Sequence, residues 1–209
     1  MVKCNHGAGF NLAVPDPARA DRAAIVARMA HWLSCRFAVA EHEPAYWPIP
    51  PRVFVEPMFA NPAGGPPIEY RFTVIHGRVA YIAVDSHIRG SPATDYFDRN
   101  WTRVPAAMRG TPGIPALGRP AMAERLCAAA ETLAAGLDML RVDFYGSRES
   151  AVFAEFTVYP LSALVPFDPP DFDRTVGALW DIRRSHALAA PSGLAARWYR
   201  RALDALDEA

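Results

Sequence analysis

The sequence predicts an α+β fold built on antiparallel sheets, and three observations predict it. Ile68–Ile75 and Arg78–Asp85 are β-rich runs separated only by His76-Gly77, a two-residue connection whose glycine suits a hairpin turn. Met139–Tyr145 and Ala151–Val158 form a second such pair about Gly146-Ser147-Arg148-Glu149-Ser150. Apolar residues recur at helical spacing in segments that lie outside these hairpins.

Taken in order, residues 1 to 14 read as a strand stub, a glycine-containing loop from Asn5 to Gly9, and a second short strand. Asp16-Pro17 opens a helix to Leu33, with Ile25, Val26, Met29 and Leu33 on one face and arginines on the other. Glu41 to Pro51 is a proline-rich loop, Arg52–Glu56 a strand, and Pro57 to Pro67 a proline-glycine linker. An irregular segment follows the first hairpin through Trp101 to Pro120. Ala121–Ala135 reads as a packing helix with Met122, Leu126, Ala130 and Leu133 aligned. Helices are expected again over about Phe172–His186 and Ser192–Leu206, where arginines such as Arg183, Arg197 and Arg201 read as a solvated face.

Among the 209 residues, 22 basic and 22 acidic side chains cancel, so no global field recruits nucleic acid or an anionic membrane. With 51% hydrophobic and 21% charged residues the chain can bury a core, which excludes disorder. Cys4, Cys35 and Cys127 are too widely spaced for a disulfide framework or a CxxC clip, and a reducing cytoplasm fits them best. The apolar stretch from Leu126 to Leu140 is broken by Glu131 and Asp138, so no membrane span is expected.

The second hairpin carries the chemistry. Pairing about residue 149 sets Asp143 opposite Glu155 and Arg141 opposite Thr157, and alternation puts all four on one face. Val142, Phe144, Ala154, Phe156 and Val158 then share the other face, expected to be core. Directly opposed carboxylates repel by a few tenths to roughly 1 kcal/mol. A magnesium ion, which takes one or two carboxylates with phosphate and water oxygens, would remove that conflict. The same residues also suit a solvated hairpin face with an incidental salt bridge. Near the N-terminus, Lys3 precedes Asn5-His6-Gly7-Ala8-Gly9, whose small residues would let backbone N–H groups approach a phosphate. A plain strand-turn-strand loop has the same composition.

These blocks, with Pro51-Arg52-Val53-Phe54-Val55-Glu56, Glu69-Tyr70-Arg71-Phe72, Tyr96-Phe97-Asp98-Arg99-Asn100-Trp101 and Glu155-Phe156-Thr157-Val158-Tyr159-Pro160, give the chain its resemblance to the TupA-like branch of the ATP-grasp superfamily. The resemblance implies an ATP-grasp core of two lobes, with antiparallel sheets, packing helices and a nucleotide cleft between them. It divides the chain into a small lid-like lobe (1–60), a larger lobe with a metal-binding hairpin (61–190) and a C-terminal helix (191–209). It implies an ATP- and Mg²⁺-dependent carboxylate–amine ligase working through an acyl phosphate in bacterial cell-surface polysaccharide modification. The partners would be a small-molecule or glycan-linked carboxylate and an amine.

Carried over by position, Lys3 and Arg141 are the implied catalytic cations. Lys3, Asn5, His6, Gly7, Ala8, Gly9, Glu56 and Arg71 would hold the nucleotide, with Glu56 at the hinge beside adenine. Asp143, Glu155 and Thr157 would hold magnesium, Thr157 standing where the superfamily has asparagine. In the family a substantial region precedes the lysine strand, whereas here Met1 stands two residues before Lys3. The expectation is therefore that the natural start lies upstream, that a separate chain supplies the region, or that this is a remnant that binds nucleotide poorly, with little ligase turnover by this chain alone. Two rival readings are a glycosyltransferase, from Asp171-Phe172-Asp173, and a non-catalytic nucleotide-binding scaffold. The first aspartate of that DxD is expected to cap a helix.

Overall fold

A computed structural model of the chain describes residues 1–37, 39, 43–59, 61, 66–88, 91–108, 118–158, 160–185, 188 and 193–207. The chain forms two compact units, Met1–Ala60 and Asn61–Ala209. In the first, β1 (Val2–Cys4) is the centre of a three-stranded antiparallel sheet, flanked by β2 (Asn11–Leu12) and, after α1 (Arg22–Ser34), by β3 (Val53–Val55). Alternation turns Val2 and Cys4 toward Met29 of α1, with Ile25, Trp32 and Leu12 packed around them.

The first helix starts later than its sequence suggests. Asp21, not Asp16, is the N-cap, accepting from the Ala24 N–H at 3.0 Å, while Asp16 closes a turn onto the Ala18 N–H. Val26 and Leu33, expected in the core, are exposed: three short strands cover only the strip of α1 that carries Met29 and Ile25.

The second unit is built on a six-stranded antiparallel sheet. Its strands are β4 (Ile68–Ile75), β5 (Arg78–Ile88), β6 (Ser91–Phe97), β7 (Arg103–Val104), β9 (Met139–Gly146) and β10 (Ala151–Thr157), in the spatial order β10-β9-β4-β5-β6-β7. A separate two-stranded ladder joins β8 (Ala107–Met108) to β11 (Phe167–Asp168). One face of the large sheet, with Tyr70, Phe72, Val74, Ile82, Val84, Val142 and Phe144, packs on α2 (Ala123–Leu133) through Leu126, Cys127 and Ala130. Part of the other face is covered by Phe167 and by Phe172 of α3 (Pro170–Gly177), which sit on Tyr81 and Tyr96. The rest of that face is charged.

Two expectations are corrected here. β6 falls where an irregular segment was expected; Pro92 and Asp95 hide its strand character, and its pairing to β5 from Ile88↔Ser91 to Ile82↔Phe97 supplies what local sequence does not. The helix expected over Phe172–His186 is α3, which ends at Gly177; Asp181 then caps a separate 3₁₀ turn, Ile182–Arg184, by accepting from the Arg183 N–H. His186, Ser192 and Tyr159 lie outside the described residues. The last helix, α4 (Leu194–Asp207), completes the unit. Among the described residues no helix is long and apolar enough to cross a membrane.

Candidate functional site

The register of the large sheet sets the charged residues in rows. One row runs Glu155–Asp143–Arg71–Ala83–Tyr96 across β10, β9, β4, β5 and β6, and the next runs Thr157–Arg141–Thr73–Tyr81. A third places Glu69 of β4 between Tyr145 and Asp85. Asp143 thus faces Glu155, and Arg141 faces Thr157, as the hairpin reading expected. The route differs: the turn is tighter, pairing Ala151 with Gly146 and Phe153 with Phe144, and a bulge at Ala154 restores the expected register from Glu155 onward.

The apolar side of the hairpin corrects another expectation. Val142 and Phe144 are core, but Phe156 and Val158 are exposed, on and just after β10, the edge strand of the sheet. The bulge brings Phe153 and Phe156 together, ring centroids 4.8 Å apart.

On the charged face Arg141 lies against Asp143, its Nε donating to both carboxylate oxygens at 2.9 and 3.1 Å and its Nη2 to Oδ2 at 2.7 Å. The same guanidinium reaches Glu155 at 3.7 Å. Arg71 forms an ion pair with Asp85, while its Nε is buried without a partner among the described residues. Four carboxylates, Glu69, Asp85, Asp143 and Glu155, therefore share a face with two guanidinium groups, an excess of two negative charges. Burial pushes the Asp143 carboxyl above its usual range, with Arg141 opposing. Burial also raises Glu69; Arg71 opposes that shift, and the Asp85, Asp143 and Glu155 carboxylates add to it. For Arg141 burial alone would lower the pKa, but the hydrogen bond and charge of Asp143 outweigh it and hold the group charged.

These residues fit a hard divalent cation in kind and in charge: opposed oxygen donors, a two-charge deficit of cation, and carboxylates with lone pairs beyond those Arg141 uses. Among the described residues no group of three or more His, Cys, Asp and Glu side chains is arranged to hold a metal by itself. Phosphate and water oxygens would have to complete such a shell. The sequence reading missed Glu69 and Asp85, although strand alternation from Arg71 across the His76-Gly77 turn puts both on the charged face.

In the first unit Lys3, Asn11 and Phe54 share the sheet face opposite α1, and Lys3 Nζ lies 2.5 Å from Glu56 Oε1. The Glu56 main chain is also tied to Met1, whose ammonium donates to the Glu56 carbonyl at 3.0 Å. A cavity of about 610 Å³ opens beside it, lined by Val2, Val14, Ile25, Val55, Glu56 and Met58 among others. Asn5 clamps the approach to β3: its side-chain oxygen accepts from the Arg52 N–H at 2.8 Å, and its amide donates to the Pro50 carbonyl.

The rest of the glycine loop has structural work of its own. His6 is turned inward, its Nε2 3.0 Å from the Trp32 carbonyl and its ring against Phe10. A Cβ on Gly7 would come within 2.4 Å of the Phe37 ring, and Gly9 has φ +76°. Ala8 and Gly9 are exposed. The DxD motif diverges: Asp171 pairs with Arg174, Phe172 enters the aromatic cluster, and Asp173 accepts from the Phe167 N–H at 3.4 Å. Pro169, not Asp171, holds the cap position of α3.

A family model described as TupA-like ATPgrasp matches residues 1–181. No curated protein and no solved structure matches the chain.

Proposed function

The chain belongs to the TupA-like ATP-grasp family, and from that premise we propose that it is an ATP- and Mg²⁺-dependent carboxylate–amine ligase in bacterial cell-surface polysaccharide modification. The observation that carries the reading is the opposition of Asp143 and Glu155 on neighbouring strands, with Arg141 against both. Magnesium, when bound, supplies charge neutralisation for the transferring phosphoryl group. Asp143 and Glu155 hold it, and Thr157 offers a neutral hydroxyl ligand. Arg141 steadies the phosphoryl group and then the acyl phosphate, because a planar fork of N–H donors matches both. Arg71 offers to a phosphate oxygen the Nε–H that has no partner among the described residues. Lys3, released from Glu56, contributes a point charge to the phosphates, and the Glu56 segment meets the adenine. The substrate carboxylate would take the γ-phosphoryl group with ADP leaving, and the amine would then attack the acyl carbon, losing a proton and displacing phosphate.

Thermal-shift titration tests the reading. At a hundredfold excess over Kd, Mg-ATP stabilises by about 2.7 kcal/mol, an upward Tm shift of roughly 5–10 °C. EDTA and Asp143→Asn should each abolish that shift. Selective stabilisation by a UDP-sugar would favour a glycosyltransferase instead, stabilisation by Mg-ATP with no ADP release on adding an amine would favour a nucleotide-binding scaffold, and no stabilisation by either nucleotide would overturn the reading.

A further inference from the structure

The last helix lies beyond the residues that the family model covers. Its inner side is fixed to the second unit: Arg200 Nη1 donates to the carbonyls of Arg183 and Leu188, and Arg183 Nη2 donates to the Leu203 carbonyl. Its outer side is apolar. Leu194, Trp198 and Leu206 are 81%, 70% and 71% exposed, with Ala202 completing a row at four-residue spacing. Arg197 and Arg201 are exposed, as the arginine content suggested, and the apolar row lies beside them.

Charge beside this stripe favours one kind of occupant. Arg197 and Arg201 are exposed along it, and Arg184 is exposed in the 3₁₀ turn whose Arg183 carbonyl holds Arg200. The acid on the same flank, Asp204, is already bonded to Arg200 Nε at 3.1 Å. Two copies of the helix laid antiparallel about the middle of the stripe would bring Arg201 beside its own copy, so like charges would meet. An apolar row that carries a tryptophan, bordered by arginine and about 18 Å long, has the features of a helix that lies in a lipid interface. No described helix crosses the bilayer, so contact would be in its plane.

We propose that the α4 face of Leu194, Trp198 and Leu206, bordered by Arg197 and Arg201, docks the protein on an anionic lipid surface. The net charge of zero supplies no attraction of its own, and the terminal stretch balances Arg197, Arg200 and Arg201 with Asp204, Asp207 and Glu208; the attraction is local to the exposed Arg184, Arg197 and Arg201.

Co-sedimentation of the full chain with vesicles of phosphatidylcholine, alone or mixed with phosphatidylglycerol, tests this. Binding is expected to the mixed vesicles, with a blue shift in tryptophan emission, and to weaken as salt rises. Trp198→Glu should lower the partition coefficient about tenfold or more while leaving Tm unchanged, since the side chain is exposed. The double variant Arg197→Glu, Arg201→Glu should remove the preference for phosphatidylglycerol. Absence of binding to either vesicle, or equal binding by Trp198→Glu, would overturn the proposal. So would a concentration-dependent dimer that Trp198→Glu dissolves, which would give the face to a second copy.

Discussion

Arg141 and Asp143 are two residues apart on one strand, share a face, and are 15% and 7% exposed at their side chains. A carboxylate buried to that degree depends on its partner. Arg141→Ala should therefore cost about 3–5 kcal/mol near neutral pH, by urea denaturation. The cost should shrink on acidification, because a protonated Asp143 no longer needs a cation. Glu69 responds in the same sense. It stands directly opposite Asp85, and its folded pKa is raised by burial and by the neighbouring carboxylates. A raised acid contributes stability that is present below the ordinary glutamate range and is lost as pH rises through the folded value. Glu69→Gln should stabilise the neutral-pH protein by roughly 0.5–1 kcal/mol and flatten that part of the Tm-against-pH curve. An unchanged curve would mean that Glu69 is not strained by its neighbours.

At the scale of elements, the Asp143–Glu155 opposition was legible because a hairpin fixes register and strand alternation fixes faces. The bulge at Ala154 was not legible, since an unpaired residue in a ladder leaves no mark in composition. β6 was hidden for a related reason: its strand conformation comes from pairing with β5, not from its own sequence. Exposure of Val26, Phe156 and Leu206 could not be read either, because periodicity says which residues share a face and not what covers it. The glycine loop shows the same limit. Small residues suggested phosphate, yet Gly7 is required by Phe37 and Gly9 by its positive φ. Gly7→Ala should cost about 1–3 kcal/mol without nucleotide, by overpacking against the ring. Gly9→Ala should cost about 1 kcal/mol through backbone strain alone. A loop serving only phosphate would lose nucleotide affinity in both variants with no change in denaturation of the free protein.

For the molecule as a whole, the two units differ in how much core each has. Among the described residues, the apolar cluster of the first buries only Val2, Cys4 and Met29, under strands of two or three residues. The second buries Tyr70, Phe72, Val74, Ile82, Val84, Val142, Cys127 and more between α2 and a six-stranded sheet. Local opening free energy follows buried apolar area and paired backbone, so the units should open separately. Hydrogen exchange on the full chain should find the amides of β1, β3 and α1 several kcal/mol less protected than those of β4, β5, β9 and α2. Ligand linkage adds a second expectation. A nucleotide that engages Lys3 stabilises the closed form of the first unit, so Mg-ATP should slow exchange at β1 and β3 in proportion to its concentration above Kd. In Lys3→Ala that slowing should be lost at β1 and β3, while protection of the second unit by Mg-ATP remains. Equal protection of both units without ligand would show that the small apolar cluster around Met29 is not what limits the first one.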